Sequence, residues 1–173
     1  HSGLPSPMAT LVTAGSLKSS FRRTETFCDI LATFRWGPDM QISAENGTIH
    51  FAAGQIDPGQ QRHVFLATPL LKTATLSLQN ANWTNYKVRP EAGIVATLLF
   101  DGAQLDRIFL LMEIPADKSE TWTEELELKR KQVHDHWLKA ELGPGPYEYS
   151  WGHIASEFDR RDCASEIIVV YGH

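Results

Sequence analysis

Residues 94–100 and 105–114 are apolar at nearly every position, and they flank Asp101-Gly102. Two apolar runs separated by a glycine turn predict a β-hairpin. Strands apolar on both alternating sets are expected at the centre of a sheet, covered on both faces. Whatever else the chain folds into must therefore be built around this hairpin. Its large side chains contribute roughly 1.5–3 kcal/mol each on burial.

The other segments supply what surrounds it. Residues 121–142 predict the main helix, with Thr121 and Glu124 as a capping box and a stripe of Trp122, Leu126, Val133, Trp137 and Ala140. Glu124 and Glu125 stand near its positive end and Lys139 near its negative end, as the macrodipole favours. Gly143, Pro144 and Pro146 stop it. A last hairpin is expected from strands 151–158 and 165–171 around a turn at 160–163. Upstream, Phe27, Ile30, Leu31 and Phe34 predict a short helix over 24–36, with Thr24 as N-cap. Met40, Ile42, Ile49 and Phe51 alternate about Asn46-Gly47, which predicts a hairpin with a type I′ turn. A polar loop is expected over 55–61, and strands over 62–68 and 73–78. Residues 79–91, with Trp83, Tyr86, Arg89 and Pro90 among Asn and Lys, read as an irregular loop. The expected fold is α+β: mainly an antiparallel sheet of hairpins, with the long helix (121–142) and the short N-terminal helix packed on it. Residues 1–7 read as an appended stretch ahead of Met8, and residues 8–173 as a single α+β domain.

Charge is divided unevenly over the 173 residues. Residues 1–90 carry 8 Lys/Arg against 5 Asp/Glu, and residues 91–173 carry 8 against 16, or −8. A net charge of −5 disfavours a general nucleic-acid role, which needs basic clusters. The acidic half suits a basic partner, or simply keeps the protein in solution. Two cysteines, Cys28 and Cys163, make no disulfide framework, so free thiols in a reducing, cytoplasmic setting are expected. No run reaches ~18 uninterrupted apolar residues, and no membrane span is expected.

Motifs that carry chemistry are absent from the sequence. There is no Gly-x-Gly-x-x-Gly, Walker or Gly-x-Ser-x-Gly pattern. His134 and His136 lie two apart on the predicted helix and so point to different sides, whereas a zinc pair wants i, i+4. His50, His63 and His153 have no spacing that gathers them. Cys163 has Arg160 and Arg161 nearby, but Asp159 and Asp162 oppose them, and no histidine is specified. No cofactor, metal or catalytic residue is expected. The candidate partner contacts are Trp83, Tyr86 and Arg89 on the 79–91 segment, with Glu124 and Glu127 on the acidic helix start. The bland reading of the two aromatics is a satellite cluster under a loop.

Trp137…Leu142-Gly143…Pro146…Trp151-Gly152, then Asp159-Arg160 and Ile167-Ile168-Val169-Val170-Tyr171, resembles the endings of small bacterial proteins of the toxin-immunity type. The resemblance spans residues 137–171, contains no functional motif and carries over no site residue. It implies a non-enzymatic, protein-binding module that neutralises a toxin by occlusion, with a basic toxin domain as partner. The alternative is a small-molecule enzyme or ligand-binding domain whose site is assembled from scattered residues.

Overall fold

The computed structural model describes residues 40–114 and 121–172. Their elements run β1 (Gln41–Ile42), β2 (Ile49–Phe51), β3 (Gly54–Ile56), α1 (Arg62–Phe65), a 3-10 turn (Pro69–Thr73), β4 (Thr75–Gln79), β5 (Trp83–Glu91), β6 (Ile94–Asp101), β7 (Gln104–Met112), α2 (Glu124–Leu142), β8 (Tyr147–Tyr149), β9 (Gly152–Asp159) and β10 (Ala164–Tyr171). Among them, seven strands form one antiparallel sheet in the order β4-β5-β6-β7-β10-β9-β8, and β1-β2-β3 form a second, small one. The described fold is thus α+β and mostly antiparallel. The expected helix over 24–36, Cys28 and residues 1–7 lie outside the described residues.

The central hairpin stands where its composition places it. β6 and β7 pair from Ile94↔Met112 to Asp101↔Gln104, with β5 and β10 on their far sides. Ile94, Ala96, Leu98 and Phe100, with Leu105, Ile108, Leu110 and Met112, are at most 2% exposed. They form the inner face. The alternate residues Thr97, Leu99, Phe109 and Leu111 are only half-buried. Val95 on that face is buried, so the outer face is covered as well, but less completely than the inner one.

Helix α2 lies against β9 and β10. It begins later than the sequence suggests: Thr123, not Thr121, is the N-cap, and its hydroxyl accepts from Leu126 N. Trp122 precedes the helix and Ala140 is exposed, so the buried stripe runs instead through Leu126, Glu127, Arg130, Val133, His134, Trp137 and Leu138. Two of its members are charged, and they pair with each other. Arg130 Nε donates to Glu127 Oε2 at 3.1 Å, and Arg130 Nη1 donates to Met112 O at 2.7 Å. Ser165 N donates to Glu127 Oε2 at 2.8 Å, and Ser165 Oγ to Glu127 O at 2.6 Å. The pair thereby ties α2 to the end of β7 and the start of β10.

The rest of the inner face is covered by the small sheet and α1. Phe65 meets Tyr86 and Phe100 at ring-centroid distances of 5.2 and 5.8 Å. Residues 62–68, expected as a strand, begin instead with α1: Leu66 N donates to Arg62 O, and Phe65 turns fully into the core. The β1–β2 connection spans six residues, 43–48, and is not a two-residue type I′ turn. Only Gly47 takes positive φ (75°), while Asn46 Oδ1 accepts from Thr48 N as an Asx turn does. A Cβ on Gly47 would stand 2.6 Å from the Trp151 ring, so glycine lets the loop close on β8–β10. Trp151 Nε1 donates to Ala44 O, and Tyr171 OH to Gly47 O.

The 79–91 segment departs furthest from expectation. Most of it is strand β5, in register with β6 from Trp83↔Asp101 to Glu91↔Ile94. Thr84 and Val88 are buried with Tyr86 beside them on the inner face, and the polar residues between them hide that alternation. Pro90 is tolerated because the register shifts between Val88 and Glu91.

His134 is fully buried and accepts from Met112 N through Nε2 at 3.3 Å. Burial first, and then the Arg130 charge, lower its pKa to about 3. A histidine near 6.5 when unfolded and near 3 when folded supplies stability that is complete above pH 6.5. That stability is lost as pH falls towards 3. Between pH 6.5 and 5 the unfolding free energy is expected to fall by up to about 1.4 kcal/mol per pH unit from this residue. Denaturant titrations at the two pH values check this: His134→Gln should flatten the dependence, and an unchanged slope would contradict it.

Candidate functional site

A shallow, open groove of about 470 Å³ lies on the outer face of the main sheet, lined by Leu78, Asn80, Trp83, Asn85, Thr97, Leu99, Phe109, Asp162 and Glu166. The strand period explains the convergence. Asn85 and Leu99 are paired neighbours on β5 and β6, and Thr97 and Phe109 on β6 and β7. Each projects away from the inner core, as Trp83 does on β5 and Glu166 on β10. A bulge between Leu76 and Leu78 turns Leu78 towards the same side, opposite Asn85. Asn80 Oδ1 accepts from Asn82 N and Trp83 N, which shapes the corner that carries Trp83.

The walls divide by chemistry. Leu78, Trp83, Leu99 and Phe109 are apolar, and Asp162 and Glu166 are acidic. Asn85 Oδ1 is buried and has no hydrogen-bond partner among the described residues. A buried acceptor without a donor is costly, so this wall favours a guest that donates. Glu166 has its pKa raised, first by burial and then by Asp162. Glu127 and Asp159 add to the rise, while Lys87 counters it. Its carboxylate lies in a setting short of positive charge. The turn carrying Asp162 is held by Trp122 Nε1 donating to Cys163 O at 2.9 Å and by the Arg160–Glu124 pair at 3.5 Å.

The residues singled out in the sequence do not form one site. Trp83 lines the groove. Tyr86, on the same strand, faces inward against Phe65 and Phe100, which makes it a core residue. Arg89 is exposed and pairs with Glu113. Glu124 is an exposed support of the Asp162 turn. Glu127 is 5% exposed and spent on Arg130 and Ser165, so it is no surface contact. Sequence reasoning missed Leu78, Asn85, Leu99, Phe109 and Glu166, because only the register across β4, β5, β6, β7 and β10 brings them together. Among the described residues, no group of three or more His, Cys, Asp or Glu is arranged to hold a metal ion, and no helix is long and apolar enough to cross a membrane. His134 is inside and His136 exposed, as their spacing on the helix requires.

A carboxyl whose pKa is raised on folding supplies stability below its unfolded value, near 4.5. That stability is lost as pH rises through the higher folded value. Glu166→Gln is therefore expected to raise Tm at pH 7 and to make no difference near pH 4. Thermal unfolding at both pH values checks this, and an equal or lowered Tm at pH 7 would contradict the assigned environment.

No family model matches this chain, and no curated protein or solved structure does either.

Proposed function

We propose that this protein is a non-enzymatic binding module whose outer-face groove captures a basic segment of another protein. The observation that carries the reading is the composition of the groove: an aromatic and aliphatic wall, an unsatisfied amide oxygen and two carboxylates. A guanidinium fits that set. It has five donors and no acceptor, and its plane stacks on aromatic faces such as Trp83 or Phe109. It would add positive charge beside the Glu166 carboxylate, where acidic neighbours and burial outweigh Lys87. The acidic second half of the chain would speed encounter with a basic partner, an effect screened over about 8 Å at physiological ionic strength. A basic toxin domain, occluded by such capture, is the partner that the toxin-immunity resemblance suggests.

A second reading, a small-molecule ligand or enzyme pocket, is favoured by the volume alone, since about 470 Å³ falls within the roughly 300–1,000 Å³ of ligand sites. The apolar wall and the acidic end suit a cationic molecule in that case too.

The simplest guest is N-acetyl-arginine methylamide. Titrated into isotope-labelled protein, it is expected to shift the Trp83 indole and the Leu78 and Leu99 methyl signals. The shifts should weaken with salt and, in Glu166→Gln, fall to the level given by N-acetyl-citrulline methylamide. Because Glu166 must be ionised to attract the guest, affinity should rise with pH through the raised Glu166 pKa. Equal shifts from the arginine and citrulline compounds would overturn the reading.

A further inference from the structure

The two edges of the main sheet are finished differently. β8 is three residues long and carries Glu148, with Tyr147 OH bonded to Gly143 O and Tyr149 stacked on Trp151 at 4.9 Å. Short, charged and anchored edges resist the addition of another strand. β4, at the opposite edge, has five residues, Thr-Leu-Ser-Leu-Gln, with neither charge nor proline, and all five are exposed. Leu76 and Leu78 are 50% and 48% exposed. Among the described residues only β5 pairs with it, and no described strand lies on its other side.

This edge adjoins the groove. Leu78 belongs to both, and its cross-strand neighbour Asn85 holds the unsatisfied oxygen. A strand added to β4 would lie about 4.8 Å away and send alternate side chains to the two faces of the sheet. Those on the outer face would arrive beside Leu78, at the mouth of the groove. Those on the inner face would lie over Leu76. An arginine on the outer face can stretch across Leu78 towards Trp83 and Asn85, while the acidic residues further along the groove repel an acidic segment.

We infer that the partner binds by β-addition: an extended, arginine-bearing segment pairs with β4 and delivers its basic side chain into the adjoining groove. Backbone pairing would supply affinity and the groove specificity, as in other recognition by added strands. The inference rests on the groove being a cation site, and its test separates the two.

The probe is a fluorescein-labelled nine-residue peptide of alternating threonine and valine with a central arginine. Two further peptides carry N-methyl groups on alternate residues, each blocking one edge of the extended chain. With the full-length protein, methylation of one edge should weaken binding at least about tenfold, the loss expected for one or two good hydrogen bonds, while methylation of the other edge is tolerated. Leu78→Asp, at an exposed position, should weaken the parent peptide. If arginine methylamide binds the groove but both methylated peptides bind as well as the parent, β-addition is overturned and the groove reading stands. If the peptide shows edge-selective binding that citrulline in place of arginine leaves unchanged, β-addition stands and the cation reading falls. A β4 edge occupied by a second copy of the chain, seen as a concentration-dependent dimer that the peptide does not dissociate, also overturns the proposal.

Discussion

The architecture depends on one buried ion pair. Glu127 and Arg130 stand one turn apart on α2, inside a stripe that is otherwise mostly apolar. Two isolated charges there would be prohibitive. Their own pairing, with Met112 O accepting from Arg130 and Ser165 N donating to the Glu127 carboxylate, makes the burial tolerable. Such a pair adds little net stability compared with apolar residues of similar volume. What it does is fix position. A purely apolar helix face could slide on β9 and β10, whereas the pair is satisfied only where β7 ends and β10 begins. His134, accepting from Met112 N on the next turn, repeats the constraint. With α2 set, the start of the helix is placed to brace the β9–β10 turn through Trp122 and Glu124.

That brace links the inner face of the sheet to the outer one. The inner face is spent on the core. The outer face is mostly half-buried, and the bulge in β4 and the turn at Asp162 bring side chains from five strands and two turns around one groove. Two carboxylates, Glu127 and Glu166, illustrate the division. Glu127 has its charge consumed within the fold. Glu166, on the same strand as Ser165 but pointing the other way, has its charge left to the groove.

Much of the fold was legible in the sequence, and the failures share a cause. The apolar hairpin, the long helix, its stop at Gly143 and the final hairpin with its turn at 160–163 were readable because hydrophobic period or turn chemistry dominates there. β5 was not, since Asn85, Lys87, Arg89 and Pro90 interrupt the Thr84-Tyr86-Val88 alternation, and tertiary pairing with β6 decides the matter. Residues 62–68 misled in the opposite sense, because a short apolar run does not distinguish a strand from a helical turn that buries Phe65. Of the site, only Trp83 was read in sequence as a partner contact. Asn85 and Glu166 are ordinary polar residues in their local context. Their significance comes from register and from what fails to neighbour them, and neither is written in local composition.

The division of labour between the two carboxylates is most directly tested with Glu127→Ala. Removing one partner of a buried pair is expected to lower the unfolding free energy by about 3–5 kcal/mol. The folded population should still bind N-acetyl-arginine methylamide with undiminished affinity, measured from the Trp83 indole signal. A variant of undiminished stability that has lost the arginine compound would contradict the account, because it would place the binding carboxylate on the helix and not on the outer face of the sheet.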